Sequence, residues 1–203
     1  MRLNELERAL EGVEGFPTPS PRLEQYQTPA PLAARLLYHA SLRGDIGGKR
    51  VCDLGCGTGI LSIGAALLGA SSVKGLEADR RALAVAHRNA ARFGTPVTFV
   101  PGDVSDPELL AGIGACDTVV MNPPFGAQKA HADRPFIDAG LVLAPVIYGI
   151  FNAGSRHFFE RYLEGRAVIE EIIGGLLPIR RTFSFHTRDV RKIPVEIMVI
   201  RRE

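Results

Sequence analysis

From Arg50 onward, short β-branched runs alternate with segments of helical period, and this alternation limits the fold more than any other feature. Residues 50–54, 73–77, 97–100 and 117–122 read as strands. Between them, residues 60–68 before Gly69, and the stretch capped by Asp79 and running through Leu83, Ala86, Ala90 and Phe93 to Gly94, read as helices. Strands separated this way pair in parallel through crossovers, giving an α/β fold with a sheet covered by helices on both faces. The alternation continues with a helix at 136–143, a strand at 146–151 and a helix at 155–163. Two β-rich segments, 167–173 and 195–201, follow with no helix-length segment between them, which predicts antiparallel pairing at one edge.

Ahead of this unit, Leu3, Leu6 and Leu10 recur at helical spacing. Phe16-Pro17-Thr18-Pro19-Ser20-Pro21 cannot be regular structure, because three prolines remove donors and fix φ. Thr28-Pro29 reads as an N-cap with proline at the first helical position, opening a helix through Ala33, Leu36, Leu37 and Ala40 that stops near Gly44. The expected organisation is a helical extension and lid over residues 1–44, and a Rossmann-like unit over 45–203, within a single structural domain.

The turn after the first strand reads Asp53-Leu54-Gly55-Cys56-Gly57-Thr58-Gly59. Alternate glycines let backbone approach a ligand where a Cβ would collide. The spacing is one residue tighter than the dinucleotide fingerprint, and the preceding acid would repel a phosphate but suits an ammonium group. Glu77 ends the second strand, where a carboxylate can accept ribose hydroxyls, and Asp103 follows the third, placed to accept from an adenine amino group. Taken singly these are turn acids. At successive strand ends they converge on one crevice, whose charge complements S-adenosylmethionine.

The fourth strand ends in Asn122-Pro123-Pro124-Phe125. An exocyclic base amine is a poor nucleophile because its lone pair is conjugated into the ring. The Asn122 side-chain oxygen and the Pro123 carbonyl can accept its two N–H bonds and aim that lone pair at a methyl carbon. Pro123 and Pro124 stiffen the loop without adding a donor, and Phe125 offers a face to an unstacked base. Methyl transfer from a sulfonium needs alignment rather than a metal, so no metal ligand is expected.

These residues carry a resemblance. The chain resembles the methyltransferase-like protein 5 group of archaeal and eukaryotic RNA adenine methyltransferases. The likeness lies in Leu23-Glu24-Gln25-Tyr26-Gln27-Thr28, the 53–59 turn, Leu61-Ser62-Ile63-Gly64, Met121-Asn122-Pro123-Pro124-Phe125-Gly126, Phe185-His186 and Val195-Glu196-Ile197. It implies a class I fold with a seven-stranded, mostly parallel sheet whose last strand is antiparallel, and N6-methylation of an adenosine in small-subunit ribosomal RNA. It also implies that Gln25, Tyr26 and Thr28, with Asp53, Gly55, Cys56, Gly57, Gly59, Glu77, Asp103 and Asn122, line the cofactor and target pocket. A segment packed over the loop serves as well for Tyr26. A small zinc-binding activator protein accompanies eukaryotic relatives. Glu77 stands where relatives carry Asp, an exchange that leaves the ribose contact intact.

The chain carries 24 Lys and Arg against 22 Asp and Glu, so overall charge names no polyanionic partner. Its end is basic, and Arg188, Arg191 and Lys192, on the loop expected between the final strands, are candidates for RNA phosphate or for a solvated face. His131 is either a substrate contact or an exposed loop residue. No stretch is long enough to span a bilayer and residues 1–10 lack a signal-peptide core. The three cysteines match no zinc spacing and read as free thiols of a cytoplasmic protein. Two other enzymatic readings use the same loop: guanine N2 methylation and methylation of a protein glutamine amide. A non-catalytic RNA-binding scaffold would keep the fold without needing the glycines or Asn122.

Overall fold

The computed structural model describes residues 1–126, 131–180 and 190–203, without the side chains of 178–180, 190 and 191. Among these residues the order is α1 (Leu3–Glu11), a 3-10 turn (Pro21–Leu23), α2 (Ala30–Leu42), β1 (Arg50–Leu54), α3 (Ile60–Leu67), β2 (Ser72–Glu77), α4 (Arg80–Phe93) and β3 (Val97–Pro101). It continues with α5 (Pro107–Ile113), β4 (Thr118–Met121), α6 (Arg134–Leu143), β5 (Val146–Asn152), α7 (Arg156–Leu163), β6 (Ala167–Arg180) and β7 (Val190–Arg202).

The seven strands form one sheet in the order β3-β2-β1-β4-β5-β7-β6, parallel from β3 to β5 and with β7 antiparallel to both neighbours. Neighbouring residues on each central strand bury into opposite layers. Val51, Val120 and Tyr148 join the cluster under α1 to α4, whereas Cys52, Val119 and Ile147 join the one under α5 to α7. This period-2 split explains why the strands read as continuous apolar runs. Leu36 and Leu37 of α2 are fully buried, and truncating either to Ala would cost about 2–5 kcal/mol.

Three boundaries differ from the sequence-based expectation. Thr28 does not cap α2: Pro29 holds that position, with no side-chain cap, and the Thr28 hydroxyl is engaged elsewhere. α5 was not anticipated, although Asp106-Pro107 is an acid cap before a first-turn proline, and Asp106 does accept from the Glu108 and Leu109 amides. The last two strands are longer than expected. β7 pairs with β5 only from Val195 to Arg201, but with β6 as far as Val190, so the pairs from Leu176–Pro194 to Arg180–Val190 continue as a two-stranded ribbon whose Leu177 is still buried in the core. Arg191 and Lys192 therefore lie on a strand rather than a loop, while Arg188 and Phe185-His186 lie outside the described residues.

The order reverses between β1 and β4, and their register pairs Leu54 with Met121. The glycine turn and the Asn122 loop thus leave the sheet side by side at its carboxyl edge, where open α/β sheets bind ligands.

Candidate active site

The cofactor end is held by its own backbone. The amides of Gly55 and Cys56 both donate to the Leu76 carbonyl (2.8 and 3.0 Å), and the Gly59 amide donates to the Cys56 carbonyl (2.8 Å). Gly57 sits at φ +55°, and a Cβ there would come within 2.8 Å of the Phe16 ring; at Gly55, φ +69°, it would meet Phe136 at the same distance. The glycines therefore admit both an unusual backbone and two aromatic walls. The Cys56 thiol sulfur lies against Gly75. All three cysteines are buried and free.

Asp53 is 1% exposed. Its Oδ2 accepts from the Ser62 amide (2.9 Å) and hydroxyl (2.6 Å), while its Oδ1 is buried with no partner. Burial raises its carboxyl to about 7, against the opposing pull of the Ser62 hydrogen bonds. Glu77 is likewise pushed upward by burial, although its oxygens accept from the Gly57 (2.9 Å) and Asp79 (2.8 Å) amides. Asp103 is exposed at the rim and accepts from the Ser105 amide.

The target end is held from a distance. Asn122 Nδ2 donates to the Thr28 hydroxyl (2.9 Å), leaving Asn122 Oδ1 buried without a partner. The Phe125 amide donates to Glu24 (2.8 Å), and Asn152 Nδ2 donates to the Phe125 carbonyl (3.3 Å). The Phe125 ring lies 5.5 Å from that of Tyr26, whose buried hydroxyl also has no partner. Both prolines support this loop, and Pro124 joins the lining.

Between the two ends lies a cavity of about 320 Å³. Gln25, Tyr26, Thr28, Asp53, Gly55, Cys56, Gly57, Glu77, Asp103 and Asn122 all line it; Gly59, Pro123 and Phe125, expected at the site, are not among its lining residues. Its charged lining comprises Glu24, Asp53, Glu77 and Asp103 against Arg22, an acid excess suited to a cationic ligand. The polar atoms of Gln25 are already engaged: its Nε2 donates to Asp79 (2.9 Å) and its Oε1 accepts from the Ser20 amide (2.8 Å). Gln25 thus straps the leader across the cavity. His131, at φ +63°, borders the mouth and stacks on Phe158. Lys192 is exposed on the ribbon; Arg201 pairs with Glu170 and Arg202 donates to the Leu141 carbonyl, so neither end-residue points to the cavity. No group of residues suited to a metal occurs among the described residues.

Sequence reasoning overlooked Phe16, Glu24, Phe136 and Asn89. Asn89 on α4 is 1% exposed; it donates to the Glu14 and Thr58 carbonyls and accepts from the Glu14 amide, tying the leader to the glycine turn. An asparagine on the apolar side of a helical pattern was the available signal.

A glycine turn and an Asn-Pro-Pro-Phe loop facing one cavity across the switch point of such a sheet define a class I methyltransferase. The family model described as the methyltransferase small domain matches residues 32–143. Protein MJ0284 of Methanocaldococcus jannaschii is 37% identical over 97% of this chain and 93% of its own length. The rRNA N(6)-adenosine-methyltransferase Mettl5 of Drosophila melanogaster is 35% identical over 97% and 94%. The crystal structure of PH1948 from Pyrococcus horikoshii superposes with a TM-score of 0.91 at 39% identity, covering 100% of this chain and 98% of that one. The chain belongs to the methyltransferase small-domain family and, within it, to the methyltransferase-like protein 5 group. No helix among the described residues is long and apolar enough to cross a membrane.

Proposed function

We propose that this protein transfers a methyl group from S-adenosylmethionine to N6 of an adenosine in small-subunit ribosomal RNA, in the cytoplasm. The observation that carries the reading is the buried, unpartnered Oδ1 of Asn122, a residue that lines the same cavity as the acid-lined glycine turn. The name of the Drosophila relative supports the substrate.

The residues present fit the cofactor. An unpartnered carboxylate oxygen on Asp53 suits its ammonium group, and the Glu77 carboxylate, which lines the cavity beside the glycine turn, suits the ribose hydroxyls. Asp103 at the rim would accept from the adenine amino group. Gln25, Tyr26 and Thr28 close the cavity from the leader side, which is the lid role assigned to residues 1–44. When bound, S-adenosylmethionine supplies an activated methyl group on a cationic sulfur.

The chain's own part is alignment. Asn122 Oδ1 and the Pro123 carbonyl accept the two N–H bonds of the target amine, and Phe125 supports the base plane. The bound donor would supply its methyl group to the nitrogen so held, leaving as the neutral thioether, and the spare proton on the methylated nitrogen would pass to water; no side chain need act as a base. Arg191 and Lys192 of β7, together with Arg188, which lies outside the described residues, are the proposed phosphate contacts. An activator protein of the zinc-binding kind seen with eukaryotic relatives would be found by copurification.

The test is transfer of labelled methyl to RNA from cells lacking this activity, followed by nucleoside identification. N6-methyladenosine at one ribosomal site is the expected product. Label in N2-methylguanosine, in protein glutamine, or in neither would overturn the assignment.

A further inference from the structure

Residues 24–28 form an irregular strap between the 3-10 turn and α2, and their side chains divide by parity. Glu24 receives the Phe125 amide, Tyr26 packs its ring near that of Phe125, and Thr28 receives the Asn122 side-chain amide. Gln25 and Gln27 turn the other way: Gln25 ties to Asp79 and Ser20, and Gln27 donates to the Val13 carbonyl. One side of the strap is thus fitted to the Asn122–Phe125 loop, and the other anchors it to the body of the protein.

The geometry points to Thr28 as a positioning residue that holds the Asn122 amide in place, with Oδ1 left for the target nitrogen. This rests on the proposed N-methyl transfer and deepens it. The two orientations of an asparagine amide have nearly the same shape, but one presents an acceptor and the other two donors. A target amine offers N–H groups, so only the acceptor-out orientation can receive it. Thr28 is 6% exposed and takes the Nδ2 end at 2.9 Å, which leaves Oδ1 as the end without a protein partner.

Removing that hydroxyl changes the balance. An NH2 group facing a methyl in a buried site loses its hydrogen bond, and an unpaired buried N–H is tolerated less well than an unpaired carbonyl. The amide then has no hydroxyl to hold it, and Oδ1 is no longer fixed for the incoming amine. Thr28 therefore acts through Asn122.

Thr28→Val keeps the shape and removes the hydroxyl, whereas Thr28→Ser keeps the hydroxyl. With methyl transfer to RNA as the assay, Thr28→Val should lower kcat roughly 10- to 100-fold, the scale of a misaligned reacting group. Its S-adenosylmethionine affinity by calorimetry should stay within about twofold, since the cofactor-end contacts are untouched. Thr28→Ser should restore most of the rate. Independently of turnover, the Asn122 side-chain amide protons, identified by their loss in Asn122→Ala, should exchange with solvent faster in Thr28→Val than in the wild type. The inference is overturned if Thr28→Val keeps wild-type kcat, if it loses cofactor affinity in proportion to rate, if Thr28→Ser is equally impaired, or if amide exchange is unchanged. A wild-type protein that methylates no RNA would sink the functional reading instead, and amide exchange would still decide the part played by Thr28.

Discussion

The two ends of the cavity are built in opposite ways. At the glycine turn, the polar groups are satisfied within about two dozen residues: Gly55 and Cys56 bind Leu76, Gly57 binds Glu77, and Ser62 binds Asp53. At the Asn122 loop, the partners are Thr28 and Glu24, separated in sequence by 94 and 101 residues. The first end takes most of its hydrogen bonds from within one βαβ unit, whereas the second takes its partners from the leader. Substitutions at the two ends should therefore be separable in their effects.

The largest expected effect breaks the target end alone. Asn122→Ala should lower kcat by about 10²- to 10³-fold, the scale of losing one preorganised polar partner, with S-adenosylmethionine affinity nearly unchanged. Equal turnover would remove Asn122 from the mechanism. Asn89→Ala cuts the clasp that joins the ends, leaving the Glu14 amide and two carbonyls unmatched. A stability loss of about 2–4 kcal/mol follows, read as a melting shift of roughly 5–10 °C. A melting point within a degree of wild type would show that the leader docks without Asn89.

At the cofactor end the test is pH. Burial raises Asp53 from 3.8 to about 7, so the folded protein holds this proton more tightly than the unfolded chain. Its contribution to stability therefore falls as pH rises from about 4 to 7, because the unfolded chain binds fewer protons across that window. Cofactor affinity runs the other way, since an ionised Asp53 attracts the ammonium group. Affinity should tighten roughly 5- to 10-fold between pH 6 and 7.5 and decline again as the cofactor's own amino group deprotonates near 8. In Asp53→Asn the lower limb should flatten, and a profile that kept it would assign the titration to another group. The smallest effect is electrostatic: each of Arg188, Arg191 and Lys192 that meets phosphate should contribute about 0.7–0.9 to the salt slope of RNA binding. Charge reversal with an unchanged slope would return them to a solvated face.

This contrast also explains what the sequence disclosed. The central strands, α3, α4 with its Asp79 cap and Gly94 stop, and the glycine turn were legible because neighbouring residues determine them. Thr28 was misread as a helix cap for the same reason. A Thr-Pro pair carries a local signal, and the tertiary bond to Asn122 overrode it. Glu24 and Asn89 carried no local mark of their partners, which lie at distant positions in the chain. α5 was a different failure, since its Asp106-Pro107 start was present and passed over.

The ribbon formed by the ends of β6 and β7 projects about 17 Å past the last residue that β5 holds, five pairs at roughly 3.4 Å each. Pro194 marks the departure, a residue that cannot donate to a further neighbour. Beyond that point no hydrogen bond joins the described arm to β1 through β5. The described part of the arm therefore has only its partner strand as a ladder neighbour, so a substitution at exposed Lys192 should leave the parallel part of the sheet and the cavity beside it intact.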